Sequence, residues 1–205
     1  MIEVLLGIGA LMVFAVMSTS KKVAAGPTLE GHADGSGLVQ VDPFGLASQA
    51  GVDINTYALA RMVASEASDK LTKVACAWAC LNYATRRAKS VSVLLLAGKG
   101  LADGRFGAQN LGKYASTKNP PGAGDLSIAA DVLAKRVPDP TSGAEQWDNP
   151  VALDALKGKK IAGYTKSADE VAAERSKSHD LVMVPGVSPT RFWRLRLPAA
   201  AGRRS

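Results

Sequence analysis

The chain opens on an unbroken apolar run from Val4 to Met17, followed by polar Ser18-Thr19-Ser20 and the pair Lys21-Lys22. A run with no polar face does not pack as a surface helix on a globular core, so this end is expected in a membrane or a translocon. It is short for a spanning helix, which needs about 20 residues, and Ile2 through Ser18 reach across only a thinned bilayer. Glu3 stands where a cleaved signal peptide carries basic residues, so residues 1–20 are expected to stay as an uncleaved transmembrane anchor. From Val23 to Pro43 large apolar residues thin out, and Gly26-Pro27, Gly31 and Gly35-Ser36-Gly37 take over. That is the composition of a flexible linker, assigned to residues 21–42.

Beyond Asp42 the pattern becomes periodic. Ser48 to Asp53 reads as a helix end and a cap; Asp53 or Asn55 then opens a helix in which Tyr57, Leu59, Ala60, Met62 and Val63 lead to Glu66. Asp69 to Thr72 reads as a turn, and Val74, Trp78, Leu81 and Thr85 repeat at helical spacing over Lys73 to Ala88. Val91 to Ala97 is a short apolar run of either type. Gly98 to Gly124 is rich in Gly, Asn and Pro, long for a loop inside a compact domain and of the kind that forms lids or binding segments. Asp125 starts a third helix, Leu126 to Lys135, which Pro138 ends, and Asp139 to Ala144 is turn sequence. Ala168 to Lys177 is helical again. The tail offers two short strands, Leu181 to Val184 and Phe192 to Leu197, where Trp193, Leu195 and Leu197 alternate with Arg194 and Arg196. These elements predict a mainly α, α+β fold: one globular domain over residues 43–160, and its C-terminal extension with a basic tail over 161–205.

Composition narrows the picture. A chain of 205 residues, 47% of them hydrophobic, suits one domain with appendages and a real core. Aromatics are only 5%, so Ala, Val and Leu must do most of the packing, which favours close helix contacts through small residues. The net charge of +7 and pI near 9.5 favour polyanionic surroundings such as nucleic acid, anionic lipid or an acidic wall polymer. No nucleic-acid motif accompanies the basic residues, so no nucleic-acid partner is expected. Cys76 and Cys80 lie four apart on one helical face and read as small buried apolar residues, with no nearby His to complete a zinc site. His32 and Asp34 read as a solvated pair in the linker, and neither a metal nor a cofactor is expected.

Glu66 carries the candidate chemistry. It ends an apolar helical pattern, with a second helix pattern just beyond it. A carboxyl held against apolar walls has its charged form disfavoured and can serve as a general acid. In glycoside cleavage such an acid protonates the bridging oxygen as an oxocarbenium-like centre forms; as a carboxylate it then takes a proton from the attacking hydroxyl. The N-acetyl carbonyl of a suitable substrate can stabilise the cation, so no second protein carboxylate is required, and Asp69, Asp103 and Asp148 have no compelling spacing. The competing reading of Glu66 is an exposed helix-end carboxylate or an ion-pair partner of Arg61.

Glu66-Ala67 at a helix end, the Ala-rich helix reaching Leu81-Asn82, the Phe106-to-Gln109 loop, and Pro138 to Ala144 followed by Trp147-Asp148-Asn149-Pro150 resemble the cell-wall hydrolases of the spore-cortex-lytic type. The resemblance runs from Tyr57 to Pro150, close to half the chain. It implies a lysozyme-like, mostly helical fold that cuts the glycan strands of peptidoglycan, commonly as a lytic transglycosylase in which the sugar's own C6 hydroxyl attacks. By the same resemblance Glu66 is the catalytic glutamate, Asn82 the asparagine of the second helix and Gln109 the glutamine of the central loop. The chain departs from the family pattern at Ala67-Ser68-Asp69-Lys70, where the family has Ala-Arg-Gly-Glu, at Tyr83, where it has Arg, and at Trp147, where it has Phe. These departures bear on substrate preference more than on the chemistry.

The remaining substrate-binding candidates each have a structural alternative. Gln109 and Asn149 can hydrogen-bond acetamido or hydroxyl groups, or stabilise loops. Tyr114 and Trp147 can stack on sugar rings, or plug the core. Asn82 is a candidate sugar contact, or orients backbone or Glu66, and His179 reads as a surface or satisfied core residue. The expected partners are peptidoglycan glycan strands and, through the N-terminal segment, a membrane. By the positive-inside rule Lys21 and Lys22 place the domain in the cytoplasm, the wrong side for a wall enzyme. A phage-encoded enzyme carried in a virion among other virion proteins removes that conflict; the expected location is thus a membrane at the periplasmic wall, or a virion. The competing class is a non-catalytic, membrane-anchored virion structural or wall-binding protein whose groove only holds glycan.

Overall fold

The computed structural model describes residues 43–96, 120–158 and 165–197. The anchor expected over residues 1–20, the linker over 21–42 and the loop carrying Gln109 and Tyr114 lie outside them. No helix among the described residues is long and apolar enough to cross a membrane.

Helix α1 spans Pro43–Gln49, and a turn through Gly51, at φ 69°, leads to α2, Ile54–Glu66. Positive φ is steric territory for glycine, and the turn lets Asp53 cap the next helix. Its Oδ1 accepts from the backbone N–H of Asn55 at 2.8 Å and of Thr56 at 3.2 Å, satisfying donors that the helix leaves open. Every residue of α2 from Thr56 to Val63 is buried, the charged Arg61 among them, so this helix lies at the centre of the fold. It packs against α1, against α3 (Lys70–Arg86), against α4 (Val91–Leu96) and against α5 (Ala123–Leu133). In α3 the run Ala75 to Cys80 is likewise buried. Alanines on both central helices, joined by the two cysteines of α3, let their axes approach, which is how a chain poor in aromatics closes its core.

Two helix starts fall earlier than the sequence predicts. Asp69, expected in a turn, is the N-cap of α3 and accepts from Thr72 N–H at 2.8 Å, so the helix begins at Lys70 and not at Lys73. Asp125, expected as the first residue of the third helix, sits one turn in and reaches back to Gly122 N–H at 3.0 Å. Its other oxygen takes Lys73 Nζ at 2.6 Å, tying α5 to α3.

The sheet is three-stranded and antiparallel, in the order β1 (Gln146–Asp148), β3 (Arg191–Leu195), β2 (His179–Val182). The two predicted tail strands are present with shifted ends; β1 was not anticipated. Phe192 stands opposite both Trp147 and Val182, and this face joins the helical core. Alternation turns Trp193 and Asp148 to the other face. There α7 (Ala168–Arg175) sends Arg175 to Asp148, and α6 (Pro150–Gly158) packs with α7 around Leu153, Leu156 and Ala168. The fold is thus mostly helical with a small antiparallel sheet, the mainly α, α+β class that the sequence predicts. The central strand β3 comes from the C-terminal extension, which is therefore built into the core.

Candidate functional site

Glu66 is the last residue of α2 and is only 7% exposed, so it is a buried carboxyl and not a solvated helix end. Its position follows from the helix it terminates. The run from Tyr57 to Val63, apolar except for the buried Arg61, draws α2 into the core, and the chain leaves the helix only at Ala67, whose N–H donates to the Val63 carbonyl at 3.3 Å. Across from it lies α3 with Cys80, which is fully buried. Burial first, and the charge of Glu66 second, push the Cys80 thiol up to about 12. Cys80 is therefore a neutral, weakly polar wall near the carboxyl, throughout the physiological range. Cys76 is buried one turn away, and neither cysteine is in a disulfide.

The raised thiol has a measurable consequence. In native protein near pH 8, Cys80 resists alkylation by iodoacetamide, whose carbon the thiolate must attack to expel iodide, and becomes labelled only after denaturation. The folded pKa lies above the unfolded value, so the stability Cys80 contributes is intact below about pH 9 and is lost as pH climbs towards 12. Mass spectrometry of labelled peptides and alkaline unfolding curves check both statements. Rapid native labelling at pH 8 would contradict this placement.

Three of the other candidates, Asn82, Trp147 and Asn149, lie within the described residues. Asn82 is two residues past Cys80, roughly 200° round the helix, and it faces away from the α2 interface. Its Nδ2 donates to Asp139 Oδ2 at 2.9 Å and to the Ala144 carbonyl at 3.0 Å. Asp139 in turn accepts from Thr141 N–H at 2.8 Å and Gly143 N–H at 2.9 Å. Asn82 thus ties α3 to the proline-rich turn. Trp147 is 8% exposed and belongs to the main hydrophobic cluster. Asn149 is buried, and its Oδ1 accepts from Ala152 N–H at 3.1 Å at the start of α6. Both side chains serve the fold here, the first as a core plug and the second as a helix cap followed by proline at the first helical position. Gln109 and Tyr114 lie outside the described residues.

Two buried polar centres were not legible as such. Asp148 is fully buried, accepting from Arg175 Nη1 at 2.6 Å, Arg191 Nε at 2.6 Å and Trp193 Nε1 at 2.7 Å. Arg191 also donates to the Ala168 carbonyl at 3.1 Å. Glu145, 3% exposed, is held by the guanidinium of Arg86, with Nη2 to Oε1 at 2.7 Å, and approaches His179 Nε2 at 3.4 Å. His179 is a satisfied core histidine: Ser178 Oγ lies 2.8 Å from Nδ1 and Gln146 Nε2 lies 2.6 Å from Nε2. The only sequence signal for either centre is the density of arginines in the tail. Among the described residues no group of three or more His, Cys, Asp and Glu is placed to hold a metal ion. Comparison with protein-family models, with curated proteins and with solved structures returned no match.

Proposed function

We propose that this chain is a peptidoglycan-cutting glycosidase, a lytic transglycosylase or muramidase, with Glu66 as its one general acid and base. The observation that carries the reading is the burial of Glu66 at the end of the central helix, against α3. A buried carboxyl beside a neutral thiol suits the two steps required of it. In acid form it protonates the glycosidic oxygen, and as carboxylate it accepts the proton of the attacking hydroxyl. In a transglycosylase that hydroxyl belongs to the sugar, and the N-acetyl carbonyl stabilises the cation. The mostly helical frame with a small sheet is compatible with a lysozyme-like architecture. Anchoring through residues 1–20, action at the periplasmic wall, and carriage in a phage virion belong to the same proposal.

The test is a zymogram with peptidoglycan in the gel. A clearing band at the mass of the chain, 21.3 kDa, is expected after renaturation. No clearing, from protein shown to be folded, favours the wall-binding or virion structural role instead.

A further inference from the structure

Glu145 and His179 belong to a line of polar contacts that the proposed glycan chemistry does not use. Ser178, exposed between α7 and β2, places its Oγ 2.8 Å from His179 Nδ1. The other ring nitrogen, Nε2, lies 3.4 Å from Glu145 Oε1. An exposed hydroxyl, a buried imidazole and a buried carboxylate thus stand in sequence. That is the order of roles in a serine nucleophile, its base and the acid that orients the base, with the two ring nitrogens exchanged.

The carboxylate is held as such a role requires. The Arg86 guanidinium binds both oxygens of Glu145, which fixes its charge and its direction. A carboxylate beside Nε2 favours the tautomer with the proton on that nitrogen, which leaves Nδ1 to accept from the Ser178 hydroxyl. The Gln146 amide, 2.6 Å from the same Nε2, then turns its oxygen to that N–H. Arg196 brings positive charge to the flank of the serine. Its backbone N–H donates to the Ser178 carbonyl at 2.9 Å, and its guanidinium donates to the Ser176 carbonyl at 3.4 Å and to Asp180 Oδ1 at 3.1 Å. A cation there favours the oxyanion that forms when a carbonyl is attacked. Ser176, two residues back and also exposed, differs: its hydroxyl donates to the Ala173 carbonyl at 2.9 Å.

We infer that Ser178 is a nucleophile towards short-chain acyl esters, with His179 as its base and Glu145 orienting the imidazole. Ser178 Oγ bonds to the acyl carbon while its proton passes to His179 Nδ1. The imidazolium returns that proton to the leaving alkoxide as the ester C–O bond breaks. Water repeats the sequence on the acyl-serine and releases the carboxylic acid, so water is the only co-reactant. An exposed serine offers little apolar surface to a long acyl chain, so the substrate class is the short ester, acetyl above all. The inference does not rest on Glu66 or on the glycan reading.

The probe is a biotinylated alkyl fluorophosphonate, incubated with the full chain. An activated serine displaces fluoride from phosphorus and keeps the phosphonate, so peptide mass mapping locates the nucleophile. The adduct is expected on Ser178 and not on Ser176. Ser178→Ala, a change at an exposed position, abolishes it. His179→Gln slows it at least about tenfold, less than the full contribution of a positioned base. Hydrolysis of p-nitrophenyl acetate is expected to fall in both variants, with circular dichroism confirming their fold. Wild-type protein with no adduct on Ser178, or with equal labelling of Ser176, overturns the inference, as does a smaller effect in folded His179→Gln. If His179→Gln does not fold, the comparison of Ser178 with Ser176 in wild type decides alone.

Discussion

On the proposed activity, Glu66→Gln is expected to lower turnover on peptidoglycan by at least about a hundredfold, the scale of a lost general acid, while fold and glycan binding persist. Glutamine has nearly the same shape as the protonated acid, so the α2–α3 packing that buries residue 66 is kept. What it lacks is a proton to give to the leaving oxygen and a carboxylate to take one back. Turbidity loss of purified walls gives the rate, and sedimentation with walls gives the binding. A folded variant with near-normal turnover would remove Glu66 from the chemistry.

Asp148→Ala destabilises the domain by about 3–5 kcal/mol, the range for breaking a buried ion pair from one side. Asp148 has no exposed surface, and both of its oxygens are committed: Oδ1 to Arg191, Oδ2 to Arg175 and Trp193. Removing the carboxylate leaves Arg175, 9% exposed, beside Arg191 with like charges facing each other. The loss falls on the joint between β1, β3 and α7, where Asp148 gathers Arg175, Arg191 and Trp193. Urea unfolding followed by tryptophan fluorescence measures it. A change within about 0.5 kcal/mol, the size of an ordinary surface substitution, would mean the arginines find other partners at no cost.

How much could be read from the sequence depended on how local each signal is. The capped start at Asp53 and the apolar run to Glu66 placed α2 at its observed ends, because cap and core face lie within a few residues of each other. The sequence pattern starts α3 three residues late, since aspartate signals both a turn and a cap and only the bond to Thr72 separates them. Strand β1 escaped notice because three residues carry no periodicity, and its existence depends on β3, with Trp147 opposite Phe192 far along the chain. Asp148 is an extreme case: its partners Arg175 and Arg191 come from other elements, and no local pattern assigns them. Asn149-Pro150 did carry a local cap signal, and the structure uses it as one. Burial of Glu66 was legible from the run before it; the presence of Cys80 opposite needed the packing of two helices.

The most direct measurement is the chemistry of the ends produced when the purified chain digests peptidoglycan. Soluble fragments are collected, reduced and weighed by mass spectrometry, with a Glu66→Gln digest alongside. New glycan ends that depend on Glu66 are expected, carrying 1,6-anhydro muramic acid for transglycosylation or reducing muramic acid for hydrolysis. Intact glycan strands after digestion by folded wild-type protein, or cuts confined to peptide bonds, would contradict it.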